Sequence, residues 1–78
     1  MLDKAAKTAR EARLAKINAA ADSYIAGLPS DAHKAFAALH IEWLMNNQEG
    51  HQPTPPEGMP EVEAVDVRAG LNQIHHAN

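Results

Sequence analysis

Residues 27–31 read Gly27-Leu28-Pro29-Ser30-Asp31, and they divide two long runs of helix-forming residues. Gly27 can take the left-handed position that closes a helix. Pro29 has neither the backbone donor nor the torsional freedom to carry that helix on. Ser30 is a good N-cap for a new helix, and Asp31 sets a carboxylate against its positive end. So short a connection returns the chain antiparallel to itself. The expected fold is all-α: an antiparallel helical hairpin over residues 1–50, a Pro-rich linker over 51–60, and a short C-terminal helix or arm over 61–78.

Upstream, residues 1–26 are rich in Ala, Lys, Arg and Glu and hold no Gly or Pro, a composition that favours helix. Leu14, Ile17, Ala21, Tyr24, Ile25 and Leu28 fall on one stripe about 100° wide. Carried backwards, the same stripe meets Arg10, Lys7 and Asp3, so the first three turns have no hydrophobic side. They fray or protrude to meet something else. Lys4, Lys7, Arg10, Arg13 and Lys16 recur every third residue, which winds them around the helix by about 60° per step instead of building one basic face.

Downstream, a second helix is expected over residues 31–48, with Gly50 as its stop. Phe36, Leu39 and Trp43 line one face, with His40 and Asn47 beside them. Ile41 and Met45 lie nearly opposite, with Ala38. The first helix can cover only one of these sides, so a second copy, the C-terminal segment or a partner protein must cover the other. The expected intramolecular core is Leu14, Ile17, Tyr24, Ile25, Leu28, Phe36, Leu39 and Trp43. The candidate intermolecular residues are Ile41 and Met45, joined by Val62, Val65, Val67, Leu71 and Ile74 of the C-terminal segment, which is expected to dock either back on the hairpin or across onto a neighbouring copy or partner.

Residues 51–60 hold four of the five prolines and read as an extended spacer. Pro53-x-x-Pro56 has no flanking Arg or Lys and reads as plain linker. Beyond it, Val62, Val65 and Val67 with acids between them fit a strand or extended arm. Pro60 followed by Glu61 and Glu63 fits a helix start, with Val67, Leu71 and Ile74 at i, i+4 and i+7. The helix is preferred, although Gly70 weakens it.

Composition narrows the function classes. The chain has 78 residues, a net charge of −3 and no cysteine, which excludes a multidomain enzyme, a disulfide framework and thiolate chemistry. It is 45% apolar, but 16 residues are Ala and only Tyr24, Phe36 and Trp43 are aromatic. That is a thin supply for a self-sufficient core. His33 and His40 are two helical turns apart, about 10.5 Å along the axis, and His75 and His76 diverge, so no metal site is expected. Ser30 is explained as a cap, no motif marks an activated nucleophile, and the four glycines stand singly, which leaves no phosphate loop. The reading is a non-enzymatic protein with no cofactor and no small-molecule substrate. Nucleic-acid binding is not expected either, because the chain is acidic overall and no aromatic residue interleaves with the winding cations. No stretch is long and apolar enough to span a membrane, and the opening residues lack a signal-peptide core. Host-cell cytoplasm or a virion is the expected location.

The run Ala9 to Asp22 resembles a segment that recurs in small bacteriophage tail and tail-fibre-associated proteins. There an Arg-x-x-Arg-Leu/Ile-Ala-x-Ile-Asn-Ala-Ala pattern forms an amphipathic helix, matched here by Arg10, Arg13, Leu14, Ala15, Ile17, Asn18, Ala19 and Ala20. The resemblance implies a virion or assembly role and carries over no catalytic or binding residue. The expected function is thus a protein–protein interaction component, a tail or tail-fibre part that forms homo-oligomers or packs on another protein. The alternatives are a small inhibitor or adaptor of a host protein and, third, a nucleic-acid-associated regulator.

Overall fold

A computed structural model describes residues 3–77, with side chains over 7–77. Those residues form three α-helices and no strand: α1 (Asp3–Ala26), α2 (Asp31–Met45) and α3 (Glu61–Ala77).

The helix ends follow from local chemistry. Ser30 is extended, with φ −146° and ψ 164°, and its hydroxyl accepts the His33 N–H at 3.2 Å, which caps α2. Two expectations about stops are corrected here. Gly27 lies outside the left-handed region; α1 instead tightens at its end, the Gly27 and Leu28 N–H groups reaching the Tyr24 and Ile25 carbonyls. And α2 ends at Met45, short of residue 48, because Asn47 (φ 62°) takes the left-handed C′ position ahead of Gly50. The Asn47 N–H donates to Leu44 O and the Gln48 N–H to Trp43 O, the Schellman pattern that satisfies the last carbonyls. For residues 61–77 the choice between helix and arm falls to helix. Pro60 supplies the carbonyl that accepts the Glu63 and Ala64 N–H groups.

All three helices share one core. Ile17 and Ala21 of α1, Phe36, Ala37, Ile41 and Leu44 of α2, and Ala64, Val67 and Leu71 of α3 are buried together. Contacts along the helices set their directions. Arg13 meets His75 and Tyr24 meets Asp66, so α3 runs opposite to α1. His33 meets Glu63 and His40 meets Asn72, so α3 runs the same way as α2. Residues 46–60 must therefore travel back along α2, whose 15 residues span about 22 Å. Two side chains tie down this connection: the Trp43 indole N–H donates to Gly50 O at 3.3 Å, and Arg68 donates to Pro53 O at 3.2 Å. Met59 packs against the core.

Several expected placements are corrected by this packing. Leu39 is 55% exposed instead of buried. The buried face of α2 is centred between Phe36 and Leu44, and at about 100° per residue Leu39 lies roughly 130° from that centre. Trp43 is only half-buried, at the edge of the core. Ile41, Val67 and Leu71, expected at an intermolecular contact, are core residues of a single chain. The cause is common to all three: α3 covers the side of α2 that α1 leaves open. Met45 and Ile74 are half-buried and pack on the core; Leu14, Tyr24, Ile25 and Leu28 are half-buried too.

Candidate interaction surfaces

Three features of the surface carry chemistry. The first is a cleft where α1 ends and α2 and α3 begin. It has a volume of about 170 Å³ and is lined by Tyr24, Leu28, Pro29, His33, Glu63, Asp66 and Val67. Its apolar wall is made by the turn at Leu28-Pro29 together with Val67. Its polar groups come from three helices, and each is positioned by a local rule. Ser30 caps α2, which places His33 one turn into the helix, facing α3. The His33 ring then bridges two partners, Nδ1 to Ser30 Oγ at 2.5 Å and Nε2 to Glu63 Oε1 at 2.6 Å. A carboxylate oxygen accepts, so Nε2 donates to Glu63, while Nδ1 pairs with the Ser30 hydroxyl. The Ser30 oxygen at the same time accepts the His33 N–H. The hydroxyl is held on both sides as a cap, so Ser30, His33 and Glu63 act as a clamp between the starts of α2 and α3. Tyr24 donates its hydroxyl to Asp66 O at 3.4 Å. Burial, then the Asp66 charge, push its phenol above the usual 10.

The second feature lies at the other end of the molecule. A wider hollow of about 480 Å³ is lined by Arg10, Glu11, Arg13, Leu14, Leu44, Met45, Asn47 and His75. Arg13 donates to His75 O at 3.3 Å, which satisfies a carbonyl in the last turn of α3 and puts a cation at its negative end. Beyond this contact α1 runs on past α2 and α3, with Lys7, Thr8, Ala9 and Arg10 exposed.

The third is the outer side of α3. Val62 is 67% exposed and Val65 49%. With the exposed Ala69 they stand at i, i+3 and i+7, one narrow apolar stripe facing away from the core.

Of the residues expected at an intermolecular contact, then, the structure brings Ile41, Val67 and Leu71 into the core and leaves Val62 and Val65 on the surface. Met45 borders the wide hollow, and Ile74 packs on the core. The sequence reading missed the His33–Glu63 and His40–Asn72 pairs, which join residues 30 and 32 apart; only the Ser30-x-x-His33 spacing of the cap was a local signal. His40 is fully buried. Its Nε2–H donates to Asn72 Oδ1 at 3.2 Å, and its Nδ1 has no partner among the described residues.

No helix of the described residues is long and apolar enough to cross a membrane. No group of three His, Asp or Glu side chains among them is placed to hold a metal ion. Compared with known proteins, the chain matches no family model, no curated protein and no solved structure.

Proposed function

We propose that the protein is a non-enzymatic protein–protein interaction component of a phage-type tail or tail-fibre assembly, working in the host cytoplasm or in the virion. In this reading α1 and α2 form an antiparallel hairpin, residues 51–60 are its Pro-rich spacer, and α3 is the arm that carries the binding stripe. The observation that carries the reading is the pair Val62 and Val65, 67% and 49% exposed on a helix whose other side is fully used by the core. Burying such side chains against a partner is favourable at about 25 cal/mol per Å² of apolar area. The assembly context rests on the resemblance of Ala9 to Asp22, whose Ile17 and Ala21 face the core while Arg10, Arg13 and Lys16 remain outside.

The test uses the full chain and a Val62→Ser/Val65→Ser variant. Both should melt at the same temperature, because neither valine belongs to the core. The native protein should be recovered with a structural protein of the particle, and the variant should lose most of that recovery. Equal recovery by the two proteins would overturn the reading. Recovery of a host enzyme or regulator in place of a particle protein would favour the inhibitor or adaptor.

A further inference from the structure

Carboxylates border the cleft, and exposed cations stand on the first turns of α1. At one end, Glu63 and Asp66 border the cleft; Asp31 and Lys34 lie in the first turn of α2, and Glu61 in that of α3 stands 4.0 Å from Arg68. Among the described residues Glu63 is held by His33 at 2.6 Å, and no Lys or Arg pairs with Glu63 or Asp66. At the other end, Lys7 and Arg10 are exposed on the free start of α1, and no carboxylate pairs with either among the described residues. These groups cannot meet within one chain. Lys7 and Leu28 are 21 residues apart, α1 filling all but the last two positions, and a helix of that length holds them about 30 Å apart. The molecule extends 50 Å along its long axis and 26 Å across.

From this polarity we propose that the cleft bordered by Glu63 and Asp66 takes a basic side chain from the free start of α1 in a second copy of the chain, Lys7 being the best placed. The fit is chemical as well as electrostatic. Leu28, Pro29 and Val67 offer an apolar wall to the methylene stem, and Glu63 and Asp66 line the same cleft with carboxylates for the ammonium. Arg10 and Glu11, one turn on, share the exposed face of Lys7. Donor and receptor lie on different surfaces, so the contact is heterologous and repeats from copy to copy as a ring or a filament. That is a property an assembly component uses; the cleft borders the α3 stripe at Val62, an i,i+4 neighbour of Asp66, while Val65 lies about 100° from Asp66 around the helix.

Sedimentation equilibrium on the full chain, at about 0.5 mM and 20 mM salt, tests the proposal. The apparent mass should rise with concentration and return to that of one chain at about 0.5 M salt, where the Debye length falls to a few ångströms. Asp66→Lys and Lys7→Glu should each weaken self-association at least tenfold with unchanged melting temperatures, since both side chains are exposed. Mixing the two variants should restore association, because each then offers the charge that the other's altered surface needs. A single-chain mass at every concentration would overturn the proposal. So would association indifferent to both substitutions, or loss in each variant without recovery on mixing. Val65→Ser alone, which changes the stripe away from Asp66, should leave this association unchanged, so failure of the end-to-end contact and failure of the stripe reading are told apart.

Discussion

The ring of Tyr24 lies directly on Gly70. A Cβ added at Gly70 would stand 2.6 Å from the phenol oxygen, 2.7 Å from Cζ and 2.9 Å from Cε1. A glycine inside a helix costs roughly 0.5–1 kcal/mol relative to alanine. Here that cost allows α1 and α3 to approach until the phenol reaches the Asp66 carbonyl one turn earlier.

Gly70→Ala tests this contact. In an open helix the substitution would stabilise by about 1 kcal/mol. In this protein Tyr24 must swing away, losing its packing and its hydrogen bond, so no net gain is expected. In a Tyr24→Ala background the same change should recover the gain. Chemical denaturation of the four proteins should give a coupling of about 1–2 kcal/mol. Additive effects would show that the ring yields without cost.

Phe36 and Leu39 sit one turn apart on α2 and should respond in opposite ways. Phe36 is buried beneath Arg68, whose guanidinium carbon is 5.3 Å from the ring centre. Phe36→Ala should cost about 3–5 kcal/mol, much of the stability of a domain this small. Leu39→Ala should cost about 0.5 kcal/mol or less. Urea midpoints at constant m-value decide it, and equal losses would contradict the burial pattern. Trp43, half-buried, should fall between the two.

Stability should depend on pH through His40. Burial holds its imidazole below the usual 6.5; the Asn72 hydrogen bond pulls it up, and the Arg68 charge adds to the lowering. His75 is lowered in the same direction by burial, Arg13 and His76. An unfolded chain takes up these protons near pH 6.5 while the folded chain resists. The stability they contribute is therefore complete above about pH 6.5 and is lost as pH falls from there through the folded value. The melting temperature should drop between pH 7.5 and pH 5 at fixed ionic strength, each 1 kcal/mol costing about 4–8 °C in a domain of this size. His40→Leu should flatten most of that slope; an unchanged slope would assign the effect elsewhere.

Removing residues 51–78 should abolish the fold and not simply trim it. The truncation takes away α3 and with it the cover over Phe36, Ala37 and Leu44. Far-ultraviolet circular dichroism should show a broad, non-cooperative melt for residues 1–50. A sharp transition at the full-length temperature would mean that α1 and α2 stand alone.

The Ser30–His33–Glu63 group should behave as a clamp. Glu63→Ala, which removes the acceptor, should lower stability by about 0.5–1.5 kcal/mol, the usual worth of one hydrogen bond. Hydrolysis of p-nitrophenyl acetate by the native protein should not exceed that of free imidazole at equal concentration. A rate well above imidazole and dependent on Ser30 would show that the hydroxyl is free to react.

Local sequence determined the helical class, the cap at Ser30 and the first break, because helix propensity and capping act over a few residues. It also placed Ile17, Ala21 and Phe36 on apolar stripes. It left open whether residues 61–77 are helix or arm, since Val62, Val65 and Val67 satisfy both periods. Tertiary structure decided what periodicity could not: which side of α2 each neighbour covers. Phe36, Leu39 and Trp43 look equivalent along the chain, yet α3 enters beside Phe36 and His40 and leaves Leu39 in solvent. The same docking turned Ile41, Val67 and Leu71 into core residues and gave Gly70 a reason to be glycine. It also set Glu63 and Asp66 at one end of the molecule and Lys7 at the other. A stripe records how much apolar surface a helix must bury; only the arrival of a second and a third helix settles where that burial occurs.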